Sequence, residues 1–326
     1  MSAHVIHWDD VEPAVRDKAH IAGEIKSLGD AAGSVGIGAK HWRVPPGKWS
    51  TPVHVHGAEE EIFYVLAGDG LLWADGKTYG VGEGDCASLL PGYEAHSFRA
   101  GDGGLELLVF GERKSVEASL LPRAGVFWLG AKWVDAGDDR HPWEREVAAG
   151  EPETPEPEGE RPEWVVRLAD VEEFERETET IGRRMRDLGR TAGSRSIGLK
   201  MYWALPRKLA VPPHCHSAEE ELFVVLEGDG HVLLGDELPA TRPPLEAAHR
   251  VEEVAVRPGS VVARPPGTGV AHTFRGGENG LGYLAFGTRE PNDIAFYPRS
   301  NKVSLRGIGA RFRVERVDYW DGEPSA

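Results

Sequence analysis

One motif occurs twice in this chain. His54-Val55-His56-Gly57-Ala58-Glu59-Glu60-Glu61 runs into Ile62-Phe63-Tyr64-Val65-Leu66-Ala67-Gly68. About 160 residues later, His214-Cys215-His216-Ser217-Ala218-Glu219-Glu220-Glu221 runs into Leu222-Phe223-Val224-Val225-Leu226-Glu227-Gly228. Two histidines one residue apart on an extended segment face the same side, because side chains there alternate. A carboxylate a few residues on, followed by a hydrophobic strand, completes three ligands for one metal ion. A single His-x-His is weak evidence; the same constellation at matched positions of one chain is specific.

The repeat reaches beyond the histidines. Leu28-Gly29 and Ala32-Gly33-Ser34 match Leu188-Gly189 and Ala192-Gly193-Ser194, and Ile37-Gly38 with Lys40 matches Ile197-Gly198 with Lys200. Roughly half the positions from Leu28 to Gly70 are identical to those from Leu188 to Gly230. A period this long is a duplicated domain rather than a solenoid repeat of about 20 to 50 residues, and each copy is long enough to bury its own core. Between the copies, residues 144–163 are rich in Glu and Pro, a composition that stays extended and solvated. The reading is therefore an N-terminal domain over 1–143, a linker over 144–163 and a C-terminal domain over 164–326. A second insertion, from about Asp236 to Glu252, lengthens a hairpin loop of the second copy.

Within each copy, short hydrophobic runs (Glu61 to Leu66, Cys86 to Leu90, Leu105 to Phe110, Val254 to Val256, Val261 to Arg264, Leu281 to Phe286) alternate with turn signals. Those signals include Gly68-Asp69-Gly70, Asp75-Gly76, Gly82-Glu83-Gly84 and Pro258-Gly259. Regular strands between glycine-rich turns predict an all-β sandwich or barrel. Helix is expected only in short stretches, chiefly an amphipathic one over Val171 to Leu188 with Phe174, Ile181, Met185 and Leu188 on its apolar side.

Charge narrows the partners. With 37 Lys and Arg against 53 Asp and Glu, a formal charge of −16 disfavours nucleic acid. No run approaches the roughly 20 apolar residues of a membrane helix, and the first residues lack the basic and apolar regions of a signal peptide. The two cysteines, Cys86 and Cys215, cannot frame a disulfide scaffold. A cytoplasmic protein acting on a small molecule fits these features.

Downstream of each motif lies a second one. The first copy has Gly84-Asp85-Cys86-Ala87-Ser88-Leu89-Leu90-Pro91-Gly92-Tyr93-Glu94-Ala95-His96-Ser97-Phe98-Arg99. The second has Gly259-Ser260-Val261-Val262-Ala263-Arg264-Pro265-Pro266-Gly267-Thr268-Gly269-Val270-Ala271-His272-Thr273-Phe274-Arg275. With both motifs in both halves, the chain resembles the cupin superfamily, and within it the two-domain bicupins. The resemblance implies two tandem double-stranded β-barrels, jelly-roll-like, each holding one divalent metal. Carried over position by position, the ligands are His54, His56, Glu61 and His96 in the first barrel and His214, His216, Glu221 and His272 in the second. The sequence departs from the family pattern in the last loop: three residues separate Gly92 from His96 and four separate Gly267 from His272, where two are usual, so the loop must bulge.

Three imidazoles and a carboxylate suit Fe(II), the favoured ion, and also Mn, Ni, Co or Zn. Beside this set, Tyr93 and Glu94 are candidates for hydrogen-bond donation and general acid–base work in the first copy; the second copy has Thr268 and Gly269 there. Lys40 and Lys200 hold a substrate carboxylate if they line a barrel mouth and are solvated charges if they face outward. Alternation puts Arg99 and Arg275 opposite the last histidine, in surface salt bridges, and Phe98 and Phe274 on its face, in the core or the pocket wall. It also turns Cys215 away from its flanking histidines. His7, His20, His41, His141 and His249 lack paired spacing and receive no function.

The family hosts many chemistries, and fold does not choose among them. The resemblance leads first to an Fe(II) dioxygenase or other oxidoreductase acting on a small oxygen-rich organic acid or aromatic. The alternatives are a redox-neutral Mn or Zn decarboxylase, isomerase or lyase, as in oxalate-decarboxylase-like bicupins, and a non-catalytic binding or storage protein. Two barrels in one chain can pack as a pseudo-dimeric monomer, or the chain can form a homo-oligomer.

Overall fold

The structure, a computed structural model, describes residues 4–129, 132–134, 142–235, 251–315, 317 and 320–322. Its described residues form two eight-stranded and two four-stranded sheets. The first barrel's larger sheet runs through Asp85–Leu89, Glu61–Ala74, His96–Glu112, Ile37–Val44, Ile21–Ser27 and Ala14–Lys18, all antiparallel. Val55–His56, Ala118–Leu121, Val126–Leu129 and Lys132–Val134 make its smaller sheet. The second barrel repeats this plan with Ser260–Arg264, Glu221–Leu234, His272–Thr288, Ile197–Ala204, Gly182–Arg186 and Glu173–Glu177, closed by Cys215–His216, Ile294–Tyr297, Lys302–Leu305 and Ala310–Arg313. The all-β expectation holds in both halves.

The barrels exchange edge strands. Val5–His7, at the start of the chain, pairs with Ser260–Arg264 of the second barrel, and Val165–Arg167, just after the acidic segment, pairs with Asp85–Leu89 of the first. Each exchanged strand covers a sheet edge that would otherwise expose unpaired N–H and C=O groups. A single core joins the barrels, with Ile62, Leu108 and Phe110 from one and Leu222, Leu284 and Phe286 from the other, the rings of Phe110 and Phe286 lying 5.0 Å apart. The acidic segment follows a short helix, Pro142–Ala148, and then runs along the first barrel, where Trp73 Nε1 donates to Glu153 O and Thr78 Oγ1 to Pro155 O.

Two expectations change. Residues 171–188 are not an amphipathic helix but a hairpin, Glu173–Glu177 against Gly182–Arg186, closed by reciprocal bonds between Thr178 and Ile181. Thr178, Thr180 and Gly182 are poor helix formers in the middle of the run. The sheet also offers the Ile197–Ala204 strand to pair with, and Arg184 and Arg186 lie over the Trp203 ring. The Gly68-Asp69-Gly70 signal is not a turn between strands either. Glu61–Ala74 is one long strand that shifts register there against His96–Glu112. Such a bulge bends and twists the strand so that both halves wrap the barrel. The longer hairpin loop expected near 236–252 falls mostly outside the described residues.

Candidate metal centres

Strand geometry assembles each histidine cluster. The backbones of His54 and His96 exchange hydrogen bonds at 3.1 and 2.8 Å, and those of His214 and His272 at 3.2 and 2.8 Å, so each pair of rings shares one face. Gly92 N donates to His56 O and Gly267 N to His216 O, which ties the lengthened last loop to the His-x-His strand. In the second barrel Gly269, at φ +67°, absorbs the extra residue in a conformation glycine adopts without strain. Both loops bulge, and both still bring the last histidine to the cluster.

In the first barrel the Nε2 atoms of His54, His56 and His96 lie 3.6, 3.1 and 3.3 Å from Glu61 Oε2. In the second, those of His214, His216 and His272 lie 4.0, 3.4 and 2.9 Å from Glu221 Oε2. The far nitrogens are held from outside. The Nδ1 atoms of His54, His96 and His214 face the carbonyls of Pro52, Glu94 and Pro212 at 3.0, 3.1 and 2.9 Å, so each donates there and turns a lone pair on Nε2 inward. His56 Nδ1 meets Glu117 at 3.2 Å and Ser119 Oγ at 3.1 Å; His216 Nδ1 meets Asp293 at 2.7 Å.

These donor atoms fit a cation. His216 Nε2, Glu221 Oε2 and His272 Nε2 are buried and have no hydrogen-bond partner although they crowd within a few ångströms of one another. Buried polar atoms left this way are costly, and a metal drawing on all of them removes the cost. The donor chemistry, three imidazoles and a carboxylate, suits a divalent first-row ion with positions open to water or a ligand.

The electrostatics run with the geometry. Burial pushes His54 down to about 4 and His214 down to about 3, leaving both rings neutral. For His56 burial also works against charge, but the Glu61 and Glu117 carboxylates outweigh it and raise the ring to about 10; Glu221 and Asp293 likewise raise His216 to about 9. Loss of water around the half-buried Glu61 and Glu221 opposes ionisation, yet the surrounding imidazoles hold both well below the usual carboxylate range. Glu117 and Asp293 fall to about 2 against their own burial, through the histidine and backbone N–H groups that bond them.

The three consecutive glutamates divide their work. Glu59 accepts from Lys114 N and Glu219 from Glu290 N and Arg306 Nη2, bracing the loop after each barrel's longest strand. Glu60 and Glu220 cross to the other barrel. Glu61 and Glu221 each turn one carboxylate oxygen to the three Nε2 atoms, whereas Glu59 and Glu219 approach only the outer nitrogens, His56 Nδ1 at 3.8 Å and His216 Nδ1 at 3.6 Å.

Other sequence candidates scatter. Tyr93 is exposed, and Glu94 reaches the cluster through its carbonyl while its carboxylate makes no hydrogen bond or ion pair among the described residues. Lys40 is exposed and Lys200 half-buried, on the side of the strand opposite the buried Ala39 and His41 or Leu199 and Met201. Arg275 pairs with Glu253 at the surface. Phe98 and Phe274 are core residues, whereas Phe63 and Phe223 are the rings that touch His96 and His272, at centroid distances of 5.6 and 5.5 Å. Cys215 is buried. His41 is stacked on Trp8 and bonded to Glu106, a structural role; His141 and His249 lie outside the described residues.

Sequence reasoning missed Glu117 and Asp293. A signal existed: His96 to Glu117 and His272 to Asp293 span the same number of positions, so an acidic residue recurs in both copies. No helix among the described residues is long and apolar enough to cross a membrane.

Comparison with known proteins agrees with this architecture. Residues 40–111 match the family described as Cupin domain, and residues 192–316 match that described as Cupin. No curated protein matches the sequence. Among solved structures, one describing the Mn(II) centres of Bacillus subtilis oxalate decarboxylase is similar at 17% identity and a TM-score of 0.59, covering 90% of this chain and 79% of that one. A mutant of the same enzyme gives 18% and 0.60 with the same coverage, and its structure at pH 4.6 gives 18% and 0.58, covering 88% and 76%. With a family match in each half and a two-barrel likeness over nearly its whole length, the chain belongs to the cupin superfamily as a two-domain member.

Proposed function

We propose that the chain is a metal-dependent lyase that decarboxylates a small carboxylic acid, with one divalent ion per barrel and Mn(II) the first candidate. The observation that carries this reading is the convergence of three Nε2 atoms on one glutamate oxygen in each barrel, with the outer nitrogens tied to carbonyls and carboxylates. Two complete sets of this kind are built for binding ions with positions left for a chelating acid. A bound ion supplies Lewis-acid polarisation of a coordinated oxygen.

The chain's own residues supply the rest. Glu61 and Glu221 stay anionic and bind. Phe63 and Phe223 wall the clusters and exclude water. Glu94, whose backbone carbonyl meets His96 Nδ1 and whose carboxylate is unpaired among the described residues, is the first barrel's candidate for delivering a proton, and Tyr93, exposed in the same loop, for a hydrogen bond. In the reaction a C–C bond breaks, CO2 leaves, and the electron pair left on carbon takes up a proton; no external oxidant enters. The likeness to an oxalate decarboxylase described with Mn(II) centres favours this redox-neutral course over the Fe(II) dioxygenase expected first.

The test is reconstitution with Mn(II) and, separately, Fe(II), followed by CO2 measurement under argon with oxalate and short dicarboxylic or 2-oxo acids. CO2 release without oxygen, in proportion to manganese, is expected. Oxygen uptake confined to the iron form would replace the lyase with the dioxygenase reading. Stoichiometric binding without turnover would make the chain a binding protein.

A further inference from the structure

The two centres share their ligands and differ in what surrounds them. In the second barrel Arg264 stands directly opposite Glu221 on the neighbouring strand; in the first, Leu89 stands opposite Glu61. Residues directly opposed in an antiparallel pair point to the same face, so the Arg264 side chain shares the inner face with the metal-cluster glutamate. It is 6% exposed. Its Nη2 donates to Val270 O at 2.8 Å, two residues before His272, so the guanidinium spans from beneath Glu221 to the loop that carries the last histidine. Its Nε is buried with no hydrogen-bond partner, and among the described residues no carboxylate forms a salt bridge with it.

A buried guanidinium without a counter-ion is costly, and Glu221 is already committed to the histidines. The guanidinium fork matches the two oxygens of a carboxylate. The nearby smaller sheet differs in the same sense. Matching the strands through their pairings with His56 and His216 puts Tyr297 at the position of Leu121 and Lys302 at that of Val126. Tyr297 stacks on His214 at 5.6 Å with Lys302 Nζ 5.0 Å from its ring centre, whereas Leu121 and Val126 are buried in an apolar cluster.

We propose that the second centre is the tighter carboxylate-binding one and that Arg264 is its specificity-determining residue, while the first centre, with Leu89 opposite Glu61, holds a carboxylate far more weakly. The proposal rests on the metal-centre reading above and adds a division of labour that the matched ligand sets do not contain.

The test uses the full chain loaded with Mn(II) and 13C-formate as probe, read as paramagnetic relaxation of the formate carbon. Formate is expected to bind the native protein, and Arg264→Leu, which installs the first barrel's residue, to weaken it about tenfold or more, the size of one lost charge-assisted hydrogen bond. Metal content should stay unchanged. Arg264→Lys should recover part of the binding, which keeps the test decisive if the leucine variant does not fold. His272→Ala should abolish the effect and His96→Ala should leave it. Absence of relaxation in the native protein, equal binding by Arg264→Leu, or loss in His96→Ala alone would overturn the proposal. Formate binding at the second centre without CO2 release from any acid removes the lyase reading only; CO2 release with Arg264→Leu binding formate normally removes this proposal only.

Discussion

His216 donates from Nδ1 to the carboxylate of Asp293 across 2.7 Å, and the same carboxylate accepts from the backbone N–H groups of Ala218 and Glu219. The bond fixes the ring's tautomer and points Nε2 at Glu221. His56 and Glu117 repeat the relationship at 3.2 Å in the first barrel, with Gly57, Ala58 and Glu59 donating to the acid. One acid thus orients a ligand and pins the loop that carries it.

Asp293→Asn is therefore expected to weaken metal binding at the second centre about 10- to 100-fold, the usual cost of losing such a partner, and to leave the first centre unchanged. Glu117→Gln should do the reverse. Competition of Mn(II)-loaded protein against a chelator of known affinity, with His96→Ala or His272→Ala to silence one centre, checks both. Equal affinities across the set would mean that the acids serve only the loop.

Metal binding should release protons. Without metal, His56 and His216 are raised to about 10 and about 9 by their carboxylates, so both are protonated at pH 7.5, while His54 and His214, lowered by burial, are already neutral. An ion must displace the proton from each charged ring, so about one proton per centre leaves on binding. Affinity then rises with pH and levels off above about 9 at the second centre and above about 10 at the first. Calorimetric titration at pH 7.5 in two buffers of different ionisation enthalpy gives the number directly; identical apparent heats would contradict it.

Much of this site is legible in the chain because its ligands are local. His-x-His and a glutamate seven or five positions later need only the alternation of one strand, and duplication doubles the signal. What escapes sequence reading is set by tertiary pairing. Whether residues 173–186 become helix or hairpin depends on the open edge of Ile197–Ala204, and no local pattern reveals that Val5–His7 will pair with the second barrel rather than the first. Glu117 and Asp293 differ in residue type, so only their equal distance from the last histidines marks them. Arg264 reads as one charge ending a hydrophobic run until its partner across the sheet is known to be Glu221.

The crossed pair Glu60 and Glu220 should carry much of the adhesion between barrels. Glu60 accepts from Arg195 N, Ser196 N and Ser196 Oγ, and Glu220 from Ser34 Oγ, Val35 N and Gly36 N, all between 2.6 and 3.2 Å. Both acids are buried, so Glu60→Ala leaves donors without partners and is expected to cost about 3 kcal/mol. Urea unfolding checks the value. A change below about 0.5 kcal/mol, the range of an ordinary surface substitution, would show that the Glu60 contacts add nothing to the joint made by the shared apolar core and the exchanged strands.

Gly70 supplies the sharpest steric test of how the fold serves the first centre. A methyl group there would lie 2.2 Å from Arg99 O, and in the second barrel Gly230 stands in the same relation to Arg275 O, so the approach belongs to the bulge itself. That bulge sets the register that later pairs Ala74 with His96. Gly70→Ala must push apart the two strands that cross there, and is expected to cost about 3 kcal/mol or more. Because the displaced strand carries His96, the variant should also lose metal at the first centre while keeping it at the second. Gly80→Ala is the control: a methyl at Gly80 meets nothing within 4 Å on the same sheet, and its φ is not left-handed, so stability should stay within about 0.5 kcal/mol. Urea midpoints with metal counted per chain separate the two variants. Full metal occupancy in a destabilised Gly70→Ala would mean that His96 is positioned by its backbone bonds to His54 rather than by the bulge.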